Sequence, residues 1–408
     1  MKPKTLDDWL RWQEYQFLLS IKLGLDRIST VASRMDLLTL PVPVITVGGT
    51  NGKGSTCAML TRILMLQGYQ VGTYTSPHLL RYNERIAINA EPASDALICQ
   101  AFTAIDQARD DVDLTYFEFG TLAAVWCFLQ AKVDVIVLEV GLGGRLDACN
   151  LWDADVAIIT SIGIDHEDWL GSTRKAIGRE KAGIMRAGKP VVCGDPQPPP
   201  SIATEAARIG AKLLQYGRDF SADGLPQPAL LGDVQRDNAA CVVTALQQLA
   251  DVLPVSPAAI TEGLQTVSLV GRMQRVHEQP EVILDVAHNP HAAKELALWL
   301  KKNPLNGKTF AIFSILADKD IAGVLEMMSG QVDEWHLVPL PGRRAVSCEV
   351  LVEQIQAHDA QIPFYTHSDF QAAWNAIHVS AEKQDRVVAF GSFLVVSGML
   401  EVLTPQAG

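Results

Sequence analysis

The chain has 408 residues, 48% hydrophobic and 20% charged, enough apolar material for two cores and too much for a disordered segment. Its net charge of −12 argues against a general nucleic-acid binder, because phosphate backbones attract positive fields. The 7 cysteines are scattered without a CxxC pair, as in reduced thiols rather than disulfides or zinc ligands. At the N-terminus, "MKPKTLDDWLRWQEY" puts charges where a signal peptide needs an apolar run, and no apolar stretch is long enough to span a membrane. A cytoplasmic protein without membrane or nucleic-acid partners is expected.

Along the chain, "VPVITVG" (42–48) reads as a buried parallel strand. It runs into "GTNGKGS", and then into a helix whose apolar stripe (Met59, Leu60, Ile63, Leu64, Leu66) stops at Gly68. A strand that ends in glycines and feeds a helix aims backbone N–H groups and the helix's positive end at an anion. Thr50, Asn51, Gly52, Gly54 and Ser55 would form that cradle, with Lys53 neutralising β- and γ-phosphate oxygens. Gly54 stands where such loops usually carry a metal-binding hydroxyl. Ser55 lies one residue too late, and Ser76, in "TYTSPHLLRYNERI" (73–86), is the other candidate. Arg81 and Arg85 in the same stretch are candidate carboxylate partners.

"LTYFEFG" reads as the start of a buried aromatic helix. "VDVIVLEV" (133–140) and "ADVAIITSI" (154–162) are further buried strands, followed by Glu139 at the end of one and by Asp165 and His166 beyond the other. Open α/β sheets bind ligands beyond the carboxyl ends of their strands, so these groups and the glycine loop converge on one edge. A glutamate in an apolar strand is costly unless paired or bound to a cation. Lys181, in "GREKAGI", falls on a helix and by itself reads as a surface lysine. "KPVVCG" (189–194) adds a strand, and "DPQPPPS" (195–201) a surface excursion. Polar "GRMQRVHEQP" (271–280) is the expected linker. A second strand–helix series follows, through "EVILDVAHNP", "TFAIFSIL", "EWHLVPL" and "DRVVAFGSF", with Asp285, His288 and Asn289 at one strand-to-helix junction. The expected architecture is two α/β domains, residues 1–275 and 276–408.

Read together, "GTNGKGS", "TSPHL", "TYFEFGT", "LEVGLGGRLDA", "DHEDWLG", "GREKAGI", "GR" at 271–272, "DVAHNPHA" and "FGSF" resemble, in order and over nearly the whole chain, the dihydrofolate synthase/folylpolyglutamate synthase family of the Mur ligase superfamily. The resemblance implies a P-loop ATPase domain with a mostly parallel sheet, a smaller Rossmann-like C-terminal α/β domain, and an active site in the cleft between them. It implies ATP on Thr50–Lys53, Asn238, Arg272 and Asp285. Magnesium, as two ions, would lie on Ser76, Glu139, His166 and Lys181, the last carbamylated by carbon dioxide. The pterin substrate would lie against Lys22, Leu23, Gly24 and Leu25, against Thr115, Tyr116, Phe117 and Glu118, and against Leu146, Asp147 and Ala148; Arg85 would join the substrate side. His288 would assist deprotonation of the amine or orient phosphate. The implied substrates are dihydropteroate, folates and L-glutamate, and the implied state is a monomer. A folylpolyglutamate synthase without the dihydropteroate activity is the first alternative. A peptidoglycan-type Mur ligase would need a UDP-sugar domain that the short segment before Val44 does not provide. A nucleotide-gated binding protein would leave Glu139 and His166 without a task.

Overall fold

A computed structural model describes residues 3–17, 22–342 and 344–403. The chain divides into two units, residues 1–229 with 236–267, and residues 230–235 with 268–408. The first is built on eight strands: β1 (Val44–Gly48), β2 (Val71–Tyr74), β3 (Ile86–Ile88), β4 (Glu91–Pro92), β5 (Val135–Glu139), β6 (Val156–Ile159), β7 (Pro190–Cys193) and β8 (Lys212–Gln215). Their order is β4-β3-β2-β5-β1-β6-β7-β8, parallel except for the β3 and β4 edge. β1 is central, between β5 and β6, and every residue of β1, β5 and β6 is buried. Continuous apolar runs are what a parallel sheet covered on both faces demands. The charged or glycine-rich residues at the ends of these runs are thereby delivered to one edge.

Helices Asp95–Arg109 and Tyr116–Gln130 pack on each other and on the N-terminal helix Leu6–Phe17. Their contact is aromatic: Trp9 meets Phe102 at 5.9 Å and Phe119 at 6.4 Å between ring centres, and Phe102 meets Phe119 edge-on at 5.2 Å. Full burial of a phenylalanine is worth roughly 1.5–3 kcal/mol relative to leaving it exposed. Gly72 shows how tightly the second of these helices seats on β2, since a Cβ there would fall 2.5 Å from the Phe128 ring. The helix Lys53–Gln67 ends at Gly68, whose φ of 103° lets the chain leave the last turn without a Cβ penalty.

The second unit holds β9 (Gln274–Glu278), β10 (Glu281–Leu284), β11 (Thr309–Phe313), β12 (Glu334–Leu337), β13 (Phe364–Thr366) and β14 (Arg386–Phe390). Their order is β13-β12-β11-β14-β10-β9, with only β9 antiparallel. Here the structure corrects the expected linker. Residues 274–278 are an edge strand, and the division falls at Val267/Ser268 rather than near residue 275. The reason is pairing: Glu281 at the start of β10 takes ion pairs from Arg275 at 2.7 Å and from Arg386, tying the polar segment to the sheet. The Val286 amide also donates to the Gly271 carbonyl. No helix among the described residues is long and apolar enough to cross a membrane.

Candidate active site

The Gly49–Lys53 turn follows β1 and is held by the segment after β6. Thr50 N donates to Ser161 O at 2.7 Å, and Asn51 N donates to Ser161 Oγ at 3.1 Å. The Asn51 carbonyl accepts from Thr160 Oγ1 at 2.6 Å and from Ser161 Oγ at 3.1 Å. Thr50 Oγ1 closes the brace, donating to Gly163 O and accepting from Gly163 N. Gly49 has φ +146°, and a Cβ there would lie 1.9 Å from Thr160 Oγ1, so only glycine allows this approach. Gly52, with φ +87°, packs on the side chain of Asn238, whose Oδ1 lies 2.7 Å from where a Cβ would stand. Expected loop residues and Asn238 are therefore brought together, with Thr160 and Ser161 as further members. A hydroxyl pair closing an apolar strand was the signal for them.

Lys53 folds back on the turn, donating to Gly49 O at 3.2 Å and Thr50 O at 3.1 Å. Lys181 donates to the same Gly49 carbonyl at 2.7 Å. The surface reading of Lys181 is overturned: it is 4% exposed, on the inward side of helix Arg174–Ala182. Burial first, and the Lys53 ammonium second, push its amine down to about 7; Asp165 and Asp147 oppose that shift. A neutral amine is the form that can attack an electrophile.

At the neighbouring strand end, Glu139 is buried and its Oε2 accepts from Ser76 N at 3.2 Å. Two expected metal ligands thus meet across β5 and the turn after β2. His166 follows β6 in left-handed backbone (φ +54°), partly exposed, at the start of the short helix Glu167–Leu170. The segment that carries it is fixed by Arg174, which donates to Ile162 O at 2.7 Å and to Asp195 Oδ2 at 2.8 Å. The donor chemistry suits a hard cation: a buried carboxylate and hydroxyls, with phosphate oxygens able to complete the shell. In the first turn after the glycines, Ser55 Oγ is buried with no hydrogen-bond partner, an orphan that a bound nucleotide–metal group would relieve. Among the described residues no group of three or more His, Cys, Asp or Glu forms a cage by itself. The residues fit a metal whose shell is shared with a ligand rather than one held by protein alone.

The three expected pterin segments meet. Gly24 N donates to Leu146 O at 3.2 Å, and Phe117 lies over Gly141, where a Cβ would come within 2.6 Å of its ring. Thr115 and Glu118 form a capping box at the start of helix Tyr116–Gln130. Glu118 also pairs with Arg27, at 3.1 Å, and Arg27 donates to Lys22 O at 2.6 Å. Arg27 thus ties the Lys22–Leu25 strip to "TYFE"; nothing in its sequence setting announced that role. Lys22 itself pairs with Asp113 at the surface. Asp147 is buried and accepts from Leu142 N and Cys149 N, with burial pushing its carboxyl up to about 6 against those bonds. Ala148 is buried directly after it.

In the second unit, Asp285 follows β10 and accepts from Met273 N and Ala287 N, each at 2.7 Å. Burial raises its carboxyl, opposed first by Arg272. Arg272 lies over the Phe393 ring at 5.3 Å, and His288 Nδ1 contacts Val286 O at 2.7 Å with its own ring 6.1 Å from Phe393. Asn289 caps helix Pro290–Lys302 through Ala292 N. The expected Arg272, Asp285 and His288 therefore share one loop cluster.

These features define a nucleotide-dependent ligase of the Mur type: the Mur ligase middle domain matches residues 47–225, and the Mur ligase glutamate ligase domain matches residues 271–393. The chain is 44% identical to the dihydrofolate synthase/folylpolyglutamate synthase of Escherichia coli (strain K12), over 98% of this chain and 95% of that one. It is 42% identical to the Haemophilus influenzae protein of the same name, over 96% of each. Among solved structures it is similar to the E. coli protein in complex with DHPP and ADP, at a TM-score of 0.93 and 43% identity, covering 98% of this chain and 99% of that one. It is also similar to the bifunctional synthase solved with Mn, AMPPNP and L-glutamate bound, at a TM-score of 0.89 and 45% identity over 98% of each chain. The chain belongs to the dihydrofolate synthase/folylpolyglutamate synthase family.

The Lys181 shift makes stability depend on pH. Its folded value, about 7, lies below the ordinary lysine value of 10.5, so between these pH values the unfolded chain holds a proton that the folded chain lacks. Stability relative to Lys181→Met should rise with pH across that window and show no such slope below it. Urea unfolding of both proteins in carbon-dioxide-depleted buffer checks this; parallel profiles would contradict it.

Proposed function

We propose that this chain is an ATP-dependent amide ligase that adds L-glutamate to 7,8-dihydropteroate and to tetrahydrofolate through an acyl phosphate. The observation that carries the reading is the meeting, at one sheet edge, of a phosphate-type turn, the buried Glu139 beside Ser76, and the Lys22–Leu25, Thr115–Glu118 and Leu146–Ala148 segments. Relatives named for both activities, nearly full length, support it, as do neighbours solved with ADP, AMPPNP, Mn and L-glutamate.

A substrate carboxylate oxygen attacks the γ-phosphorus of ATP, the β–γ bridging bond breaks, and ADP leaves. The glutamate amine then attacks the acyl carbon, phosphate departs, and the amine loses a proton as the amide forms. The Gly49–Lys53 turn presents amides to the nucleotide, and Lys53 exchanges its two carbonyl partners for phosphate oxygens as charge moves. Ser76, Glu139, His166 and Lys181 are the residues that would hold magnesium, which supplies charge neutralisation between phosphate oxygens. Asn238 closes the turn beside Gly52. In the second unit Arg272 and Asp285 are assigned to ATP, and His288 to the incoming amine or to phosphate. The pterin stacks on Phe117, with Leu23, Leu25 and Ala148 as apolar neighbours. The protein acts as a monomer.

Lys181 is the site of carbamylation in this reading. The neutral amine attacks carbon dioxide, a C–N bond forms, and one proton leaves to solvent. The product is an anion beside Lys53, in place of two amines competing for one carbonyl. A carbamate oxygen is a better magnesium ligand than an amine.

Purified protein with ATP, Mg²⁺, dihydropteroate and labelled glutamate should yield labelled dihydrofolate, and tetrahydrofolate should be extended in a parallel reaction. Extension of tetrahydrofolate alone would reduce the reading to the single activity; product from neither would end it. Removing carbon dioxide should lower kcat by about tenfold or more, as loss of a charged ligand at a phosphoryl-transfer site does, with bicarbonate restoring it. Lys181→Met should be slow under both conditions. Wild-type rates indifferent to bicarbonate, with no carbamate carbon resonance from ¹³C-bicarbonate, would remove the modification from the scheme.

A further inference from the structure

Arg85 is a cation prepared for a ligand. It ends the turn Tyr82–Arg85, and its carbonyl accepts from Thr75 N at 3.0 Å, which fixes its backbone to the segment that carries Ser76. Its guanidinium carbon lies 5.6 Å from the ring centres of both Tyr82 and Tyr116, which themselves meet edge-to-face at 5.9 Å. Nε donates to His78 Nδ1 at 2.8 Å. The adjacent Glu84 does not neutralise Arg85, because its carboxylate is occupied by the amides of Leu79, Leu80 and Arg81. Among the described residues no carboxylate forms an ion pair with Arg85, whereas Arg27, Arg145, Arg174 and Arg186 in the same unit all have one. An oriented guanidinium with donors to spare, next to Tyr82 and Tyr116, is a receptor for a planar anion.

The two substrates differ in one respect that this receptor can read. Dihydropteroate has a single carboxylate, and that group must be phosphorylated. A folate has two on its terminal glutamate, the reacting γ-carboxylate and a spectator α-carboxylate. A bidentate guanidinium would tie up both oxygens of the reacting group and weaken its attack on phosphorus, so it suits the spectator. We propose that Arg85 is a specificity-determining residue that binds the α-carboxylate of the folate substrate and has no corresponding partner in dihydropteroate. This rests on the glutamate-ligase reading above.

The test is steady-state kinetics of the full chain, wild type against Arg85→Met and Arg85→Lys, with both substrates. Loss of a charge-assisted bidentate contact should raise KM for tetrahydrofolate about 10- to 100-fold while moving KM for dihydropteroate less than about threefold. Arg85→Lys should recover part of the difference. Wild type should discriminate against a tetrahydrofolate whose α-carboxylate is replaced by a carboxamide, by a similar factor that Arg85→Met no longer shows. Equal rises in both KM values, or an unchanged tetrahydrofolate KM, would overturn the assignment. Should Arg85→Met not fold, the carboxamide series on wild type decides: no discrimination overturns it. Wild type that extends neither substrate would instead defeat the ligase reading.

Discussion

One carbonyl oxygen, that of Gly49, sets the terms for the carboxyl edge of the sheet in the first unit. Two lysines from separate segments lean on it: Lys53 from the turn's own end and Lys181 from the helix Arg174–Ala182. Burial first, and the neighbouring Lys53 second, bring the Lys181 amine well below the ordinary lysine value. Gly49 can hold this position because it lacks a Cβ and because Thr160 and Ser161 clamp the following residues. Ser55 Oγ, in the first turn of the helix that follows, is buried with no hydrogen-bond partner. A polyphosphate is the group whose negative charge would resolve the crowding.

Around that point the chain divides its labour by depth. The apolar interiors of β1, β5 and β6 carry no chemistry, and serve to deliver Gly48, Glu139 and the Thr160–Gly163 segment to the same edge. The segments assigned above to the pterin lie far apart in sequence and are fastened by specific contacts, with Arg27 and Glu118 as the main rivet. The Thr115–Glu118 capping box does double duty, starting a buried helix while fixing the first turn, which carries Phe117. The second unit repeats the logic on its own sheet, where Asp285 gathers two amides and Arg272 and His288 both meet Phe393.

Much of this was legible in the letters. Unbroken β-branched runs identify the buried strands, Gly68 stops its helix, and Asn289 with Pro290 opens another. Glu139 stood out because a carboxylate at the end of an apolar strand needs a reason. Other features depend on partners that no local pattern announces. Lys181 looks like any helix lysine until the fold buries it against Gly49, and Arg27 becomes a tie only through Glu118, far along the chain. The polar "GRMQRVHEQP" lacks the alternation of a half-buried strand, so its pairing with β10 through Glu281 was hidden. Arg85 was suspected as a carboxylate partner, but its contacts with Tyr82, Tyr116 and His78 are tertiary facts.

The central claim is that the Gly49–Lys53 turn and the Ser76–Glu139 contact bound a single nucleotide–metal site. Anomalous diffraction from crystals grown with manganese and a non-hydrolysable ATP analogue tests it most directly. The account predicts a manganese peak beside the Glu139 carboxylate and Ser76 hydroxyl, with the analogue's phosphates on the turn. Phosphates bound elsewhere, or a metal peak remote from Glu139 while Glu139 still holds the Ser76 amide, would contradict it.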